Sequence, residues 1–400
     1  MKKRYPLLCC FLFCLLHLHA QDGVKQRVIL IGDAGEINPA QEAIINDAVQ
    51  KSIPGKTIAL FLGDNIYPRG FQFTAGQKEH SLAILRSQFE KLRKNNIPVY
   101  FVPGNHDWDK SGPEGYAKMR AVNESIAEQL DSGLQVIPPD ACPGPYELKV
   151  SADLVVVAMD TEWWLYPFDT HAAESDCPCK TKRDVLRKLD DIIARNHDKL
   201  IIFATHHPFK THGSHGGYYS LREHLFPLTD LNKNLYIPMP VIGSLYPLLR
   251  KAFPPAEDLG NLLYRDMINS VNEILKKHPN IIHAAGHEHT LQLLDNGLLQ
   301  VVSGSGSKHT PVKKGKESLY AADSNGYVLA DILEDRRVLL RYFTWSRKGI
   351  KESFDYTKPF VATEQPAASA PQSIAADSVV MRLKPRIQHS GRFSPRPVWR

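Results

Sequence analysis

Long apolar runs are few in this 400-residue chain. The run from Leu7 to Leu18 is too short to span a bilayer comfortably. It follows a basic Lys-Lys-Arg segment and precedes the small residue Ala20, which is the pattern of a secretory signal peptide. We therefore predict cleavage near Ala20, a secreted or periplasmic mature chain, and no transmembrane segment in it. An uncleaved anchor over the same residues is the alternative.

The chain also has little excess charge. Its formal charge of +6 falls to +3 without the signal peptide, and the last forty residues carry +4, so residues 21–360 sum to −1. A near-neutral body lacks the basic footprint of a nucleic-acid-binding protein. Residues 359–400 are rich in Ala, Pro and Ser and then in Arg and Pro. This composition predicts a disordered tail whose positive charge would allow contact with anionic surfaces.

Cysteine is scarce, and three of the six cysteines lie in the predicted signal peptide. In an oxidising compartment Cys142 is expected to pair with Cys177 or with Cys179, and the sequence does not choose between them. The spacing of Cys177 and Cys179 does not suit a zinc site, and no second pair lies nearby. The glycine-rich segment 303–306 lacks the lysine of a phosphate-binding P-loop, which favours a turn after a core strand.

Apolar residues make up 43% of the chain, enough for a large core, and we predict one catalytic domain over residues 21–358. Short apolar runs predict strands at 27–31, 57–62, 99–102, 154–158, 200–203 and 280–285, with shorter, antiparallel strands at 298–302, 327–332 and 338–343. Helical spacing predicts helices at 39–49, 77–95, 181–197 and 258–277. Residues 213–255 have no clear period, which suggests a lid or insertion.

Polar residues that bind metals or move protons follow five of these runs. They are Asp33, Asp64 with Tyr67, Asn105 with His106, His206, and the pair His287 and His289. Each has an ordinary structural explanation when taken alone, but ligands in α/β sheets bind beyond the carboxyl ends of strands, where these residues would converge. Asp64 has two oxygens and can bridge two cations. Tyr67, with a phenol pKa near 10, would ligate only a strongly acidic cation such as Fe(III).

The motifs GDAG, GDNIY, GNHD, THH and GHEH resemble those of the calcineurin-like metallophosphoesterase superfamily, and GDNIY resembles its purple acid phosphatase (tartrate-resistant acid phosphatase-like) branch. The resemblance extends from about Val28 to Phe343. It implies an α/β fold in the form of a four-layered αββα sandwich, in which two mixed β-sheets are flanked by helices.

The resemblance also implies a dinuclear metal centre. The first cation would be bound by Asp33, Asp64, Tyr67 and His289, and the second by Asp64, Asn105, His206 and His287. Other members have a histidine two residues after the first aspartate, where this chain has Gly35. Replacement of that nitrogen ligand by Tyr67 favours Fe(III) at the first position, with divalent Fe, Zn or Mn at the second.

The activity implied is hydrolysis of small phosphomonoesters through in-line attack by a metal-bound hydroxide. Asp64 would bridge the metals and His106 would protonate the leaving oxygen. His207, His212 and His215 are further candidates for contact with the substrate. A phosphodiesterase or nucleotidase on the same metals is the second hypothesis. A non-catalytic binding module of the same fold is the third, and it is disfavoured because no ligand position is lost.

Overall fold

The computed structural model describes residues 23–226, 235–239 and 242–361. The predicted signal peptide and all but the first three residues of the predicted tail lie outside the described residues. None of the helices in the described part combines the length and the apolarity that crossing a bilayer requires.

Fourteen strands and eight α-helices form within these ranges. The strands are β1 Val24–Ile31, β2 Thr57–Leu62, β3 Val99–Val102, β4 Leu134–Val136, β5 Tyr146–Lys149, β6 Leu154–Ala158, β7 Leu200–Ala204, β8 Ile281–Ala285, β9 Leu291–Asp295, β10 Leu299–Ser303, β11 Ser318–Ala322, β12 Gly326–Leu333, β13 Arg337–Ser346 and β14 Gly349–Pro359. The helices are α1 Pro39–Gln50, α2 Ala75–Lys94, α3 Gly115–Ala127, α4 Thr161–Leu165, α5 Lys182–Arg195, α6 Leu221–Leu225, α7 Leu245–Ala252 and α8 Leu262–Leu275.

The strands form two seven-stranded mixed sheets. The first has the order β14-β13-β12-β1-β2-β3-β4, with β1 to β4 parallel and β12 to β14 antiparallel. The second has the order β11-β9-β10-β8-β7-β6-β5, with parallel pairing from β6 through β7 and β8 to β10. Strands β6 and β7, with the sequences LVVVA and LIIFA, are apolar and buried along their whole length because both of their faces are covered.

Alternate residues of the central strands face different layers. Leu30 of β1 and Ile202 of β7 belong to one core cluster, which fills the space between the two sheets. Their neighbours Ile29 and Phe203 belong to a second cluster, which includes Ile44 of α1 and side chains of α2, α5 and α8. The layers are therefore helix, sheet, sheet, helix, which confirms the predicted αββα sandwich.

Residues 298–302 were predicted to form an antiparallel strand, and this is wrong for the pairing of β10 with β8. β10 is antiparallel to β9 but parallel to β8. The reason is that β9, which was not predicted, forms a hairpin with β10 and returns the chain to the direction of β8. The turn between them contains Gly297 in the left-handed region, with φ of 95°.

The disulfide joins Cys142 to Cys177, with a Cα–Cα distance of 5.4 Å, and leaves Cys179 as a buried free thiol. This resolves the choice that the sequence left open. The bond ties the segment before β5 to the segment before α5.

Candidate metal centre

The turns that follow β1, β2, β3, β7 and β8 meet at one edge of the sandwich. Backbone hydrogen bonds hold them together: the amide of Asp33 donates to the carbonyl of Gly63 at 3.0 Å, and the amide of Gly286 donates to that of His206 at 2.9 Å. The amide of Gly32 reaches across to the carbonyl of Ser303 in the other sheet at 2.6 Å. Side chains separated by more than 250 residues in sequence are thereby brought into contact.

Three of the predicted ligands have a left-handed backbone. The φ angles are 57° at Asp33, 55° at Asp64 and 66° at His287. This region is uncommon for residues other than glycine, and it is concentrated at functional sites where the surrounding structure enforces it. The turns are therefore shaped to aim these side chains at one place.

One group of donor atoms surrounds the phenol of Tyr67. Its hydroxyl lies 2.9 Å from Oδ1 of Asp33 and 3.0 Å from Nε2 of His289, and these two atoms are 3.4 Å apart. Asp33, Asp64 and His289 each offer a ligand atom within 4.8 Å of the others. The structure thus brings together the four residues predicted for the first cation, although their role as ligands stays a prediction.

Position 35 has no room for a side chain. A Cβ atom there would lie 2.5 Å from the carbonyl oxygen of Asp64 and 2.7 Å from the backbone nitrogen of Ile66. The Gly35 carbonyl in turn accepts a hydrogen bond from the amide of Tyr67 at 2.9 Å. A histidine at position 35 would require the two turns to separate.

The second group consists of Oδ1 of Asn105, Nε2 of His206 and Nδ1 of His287. The three atoms lie 2.9 to 3.2 Å from one another. Nδ1 of His206 lies 2.8 Å from the carbonyl of Leu62, and Nε2 of His287 lies 2.8 Å from that of Glu257. A carbonyl can only accept, so the ring nitrogen beside each carbonyl carries a proton, and in the neutral rings the other two nitrogens are acceptors that face Oδ1 of Asn105.

Asp64 contacts both groups. Its Oδ1 lies 3.3 Å from Nε2 of His206, on the side of the second group. The same carboxylate belongs to the cluster with Asp33 and His289 on the other side. The backbone amide of His106 donates to Oδ1 at 2.9 Å, which fixes the carboxylate between the two groups.

Charges at the centre are poorly balanced without a cation. Burial, reinforced by the neighbouring Asp64, raises the pKa of Asp33 to about 8. Burial opposes the ionisation of Asp64 as well, but His206 and His106 hold its pKa below the usual value. Burial, together with Asp33, raises the pKa of the Tyr67 phenol well above 10. Buried acids of this kind ionise when a cation takes the place of the protons.

His287 and His289 favour their neutral forms. Burial lowers the pKa of His287 well below the usual value and that of His289 to about 4. Neutral imidazoles with fixed tautomers are what a metal ion requires of histidine ligands. The donor set of carboxylate, amide, imidazole and phenol therefore fits two hard or borderline cations.

His106 lies beside both groups without belonging to either. Its Nε2 is 3.8 Å from Oδ2 of Asp64, and its ring meets that of Tyr67 edge-on with a centroid separation of 4.6 Å. Its Nδ1 lies 2.5 Å from the carbonyl of Pro68, which orients the ring. The ring is partly exposed, at 17% of the side chain, so an incoming molecule can reach it.

The three candidate substrate histidines differ in their surroundings. The His215 ring packs on that of His287 at a centroid distance of 4.0 Å. His207 is buried against the same ring at 4.4 Å, and its Nδ1 lies 2.8 Å from the hydroxyl of Thr161. His212 instead has its Nε2 3.7 Å from a carboxylate oxygen of Glu317. Among the described residues, His215 and His207 therefore pack on the ring of a predicted ligand, whereas His212 faces Glu317.

Two carboxylates that the sequence analysis gave no role hold the turns in place. Asp107 accepts hydrogen bonds from the amides of Gly104 at 2.8 Å and Asn65 at 3.0 Å, which joins the GNHD turn to the GDNIY turn. Glu288 accepts from the amides of Ser214 and His215, both at 3.1 Å. Asp107 belongs to the GNHD motif and Glu288 to the GHEH motif, and this position in a motif was the one feature of the sequence that could have identified them.

Two further residues contact the donor groups although no motif in the sequence pointed to them. The ammonium of Lys308 lies 3.3 Å from the centre of the Tyr67 ring, which places a positive charge over the first group. Glu257 contacts the second group from the segment between α7 and α8. Glu257 follows no predicted strand, and Lys308 lies six residues beyond the strand predicted at 298–302.

A sequence model described as calcineurin-like phosphoesterase matches residues 26–291 of the chain. No curated protein matches the chain. Among solved structures, the chain resembles GAP50, the anchor in the inner membrane complex of Plasmodium, with 15% identity, a TM-score of 0.50, and coverage of 86% of this chain and 90% of that one. It resembles PhoD with 11% identity, a TM-score of 0.52, and coverage of 86% and 73%.

A purple acid phosphatase from yellow lupin (Lupinus luteus) seeds is also similar, with 15% identity, a TM-score of 0.48, and coverage of 83% of this chain and 53% of that one. At these identities the structural matches to GAP50 and PhoD support the fold alone.

Proposed function

Because the chain belongs to the calcineurin-like phosphoesterase family, we propose that it is a secreted phosphatase that hydrolyses phosphomonoesters at a dinuclear metal centre. The family indicates a phosphoester hydrolase with metal-binding residues. The observation that carries the proposal is the pair of donor groups on either side of Asp64. The first brings together carboxylate, phenol and imidazole, and the second brings an amide oxygen and two ring nitrogens within 3.2 Å of one another.

We assign four ligands to each cation, with Asp64 shared. Asp33, Tyr67 and His289 complete the first set, and Asn105, His206 and His287 complete the second. We assign Fe(III) to the first set because the buried phenol of Tyr67 has a raised pKa and gives up its proton only to a strongly acidic cation. The second set offers nitrogen and amide oxygen in place of the phenol, which suits a divalent ion.

Two bound cations would neutralise phosphoryl oxygens and make hydroxide available near neutral pH. The residues of the chain do the rest. Asp64 fixes the spacing of the two ligand sets. His106 has its Nδ1 proton directed at the carbonyl of Pro68, so that Nε2 carries the mobile proton to the oxygen of the leaving group.

Positive charge at the mouth would bind the phosphate. Although burial opposes it, the hydrogen bond to Asp258 raises the pKa of His215, which favours an imidazolium beside His287. Lys308 provides a second cation over Tyr67. We assign both residues to the recognition of phosphoryl oxygens.

Secretion rests on the predicted signal peptide and is supported by the bond between Cys142 and Cys177, because disulfides persist mainly in oxidising compartments. Mass spectrometry of the exported protein should show an N-terminus near Gln21. Retention of residues 1–20 would contradict cleavage.

Turnover of matched aryl phosphates provides the test of activity. The purified protein should release the phenol from an aryl phosphate monoester faster than from the corresponding bis(aryl) diester, and a chelator should abolish both activities. Faster turnover of the diester would replace the proposal with the phosphodiesterase hypothesis. Protein that contains two metals and is inert on both substrates would contradict it.

A further inference from the structure

The connection between α7 and α8, residues 253–261, reaches the second donor group through one residue. The carbonyl oxygen of Glu257 accepts from Nε2 of His287 at 2.8 Å. Its side-chain Oε2 accepts from Nδ2 of Asn105 at 3.3 Å. Backbone and side chain of a single residue therefore contact two of the three members of the group.

Each contact determines which atom of its partner faces the group. A carboxylate can only accept, so Nδ2 of Asn105 is turned toward Glu257 and Oδ1 is left facing His206 and His287. If the amide rotated by 180°, it would present N–H hydrogens to the group and could not bind a cation there. The carbonyl of Glu257 has the same effect on His287, because it holds the proton on Nε2 and leaves Nδ1 bare.

The connection is itself anchored on both sides. Asp258 accepts two hydrogen bonds from the guanidinium of Arg250 on α7, both at 2.7 Å. It also accepts from Nδ1 of His215 at 2.9 Å, and the ring of His215 packs on that of His287. The Asp258 side chain is 9% exposed and that of Arg250 is 16% exposed, so the ion pair is largely shielded from solvent. These contacts of Asp258 hold the neighbouring residue Glu257 in position beside Asn105 and His287.

We propose that Glu257 is a positioning residue for the second cation site, which acts by fixing the amide orientation of Asn105 and the tautomer of His287. The inference rests on the proposed dinuclear centre. Glu257 orients two ligands, Asn105 and His287, and has no contact with the substrate in this role. Residues that orient metal ligands typically change metal affinity by about 10–100-fold when they are removed.

Chelator titration with metal analysis measures this effect directly. Wild-type protein should bind two equivalents of metal, and the chelator concentration at which it releases the first equivalent is the reference value. Glu257→Ala and Glu257→Met, which both remove the side-chain acceptor of Asn105 and keep the backbone carbonyl, should release one equivalent at a chelator concentration about 10–100-fold lower and keep the other. Glu257→Gln retains an oxygen acceptor and should stay close to wild type. Glu273→Ala, an exposed acid on α8, is the matched control and should not differ.

A second measurement separates orientation from general support. In Asn105→Asp both side-chain atoms are oxygens, so orientation no longer matters, and adding Glu257→Ala should not weaken the second cation further. Retention of both equivalents by Glu257→Ala and Glu257→Met at wild-type affinity would overturn the inference. Loss of both equivalents together, or additive losses in the double variant, would also overturn it. Wild-type protein with fewer than two equivalents would instead overturn the proposed function.

Discussion

The amide oxygen of Asn105 lies 2.9 Å from Nε2 of His206, and both groups have already directed their hydrogens elsewhere. Asn105 donates to Glu257, and the His206 proton faces the carbonyl of Leu62. With a neutral His206 these two acceptors repel unless a proton or a metal cation lies between them, and unsatisfied buried polar groups are expensive. The fold therefore places its second donor group for a positive ion.

Replacing His106 should separate chemistry from metal binding. His106→Ala should lower kcat by about 10²–10⁴-fold, because the leaving oxygen loses its proton donor, and it should still retain two equivalents of metal. Steady-state kinetics with metal analysis of the same sample measures both quantities. His80→Ala, at an exposed position on α2, is the control and should behave as wild type. Near-normal turnover in His106→Ala would remove this residue from the mechanism.

A methyl group at position 35 should disturb the first donor group. Gly35→Ala places Cβ 2.5 Å from the carbonyl oxygen of Asp64, so we expect a loss of about 1–3 kcal/mol in the free energy of unfolding. Gly76→Ala, on α2 with no atom within 4 Å of the added Cβ, should be neutral or stabilising. Denaturant unfolding of the metal-free proteins measures both variants. Equal stability of the two would show that the turns separate easily.

Tyr67→Phe tests the assignment of iron to the first set. The variant keeps the ring under Lys308 and removes the oxygen that faces Asp33 and His289. Wild-type protein loaded with iron should absorb visible light through the phenolate, and the variant should not. Tyr356→Phe, on the edge strand β14, should keep the band. A visible band that survives in Tyr67→Phe would exclude this phenol as its source.

Metal removal should destabilise the fold through linkage. A ligand present at one hundred times its Kd adds about 2.7 kcal/mol per site to the free energy of unfolding. Treatment with a chelator should therefore lower the thermal midpoint of the wild type, and it should have a smaller effect on His206→Ala, which lacks one ligand of the second set. Equal effects of the chelator on both proteins would place the bound metal elsewhere.

The central strands and the positions of the donor residues could be predicted from the sequence because both depend on local features, whereas the αββα sandwich was implied by the resemblance of the motifs to those of calcineurin-like metallophosphoesterases. Five of the predicted parallel strands are apolar where they approach the site, and each ends at a turn with a polar residue, such as Asp33 after β1 or His206 after β7. The carboxyl ends of parallel strands then converge by topology alone. β9 was not predicted because only Thr290 separates it from the GHEH turn, and β14 was not predicted because most of its residues are exposed.

Contacts that depend on loop conformation had no such signal. Glu257 and Asn105 are 152 residues apart, and nothing in the segment before α8 marks Glu257 as different from other acids. His212 and His215 lie three residues apart in one loop, yet only His215 packs on His287, because Glu288 binds the loop through its amides. The choice between Cys177 and Cys179 likewise depended on where the chain passes Cys142.

Anomalous X-ray diffraction from crystals of the metal-loaded protein tests the central claim most directly. We predict two peaks per chain, about 3.5–4 Å apart, with the carboxylate of Asp64 between them, Tyr67 at the iron edge and Asn105 at the other. A single peak, or peaks that do not contact Asp64, would contradict the account.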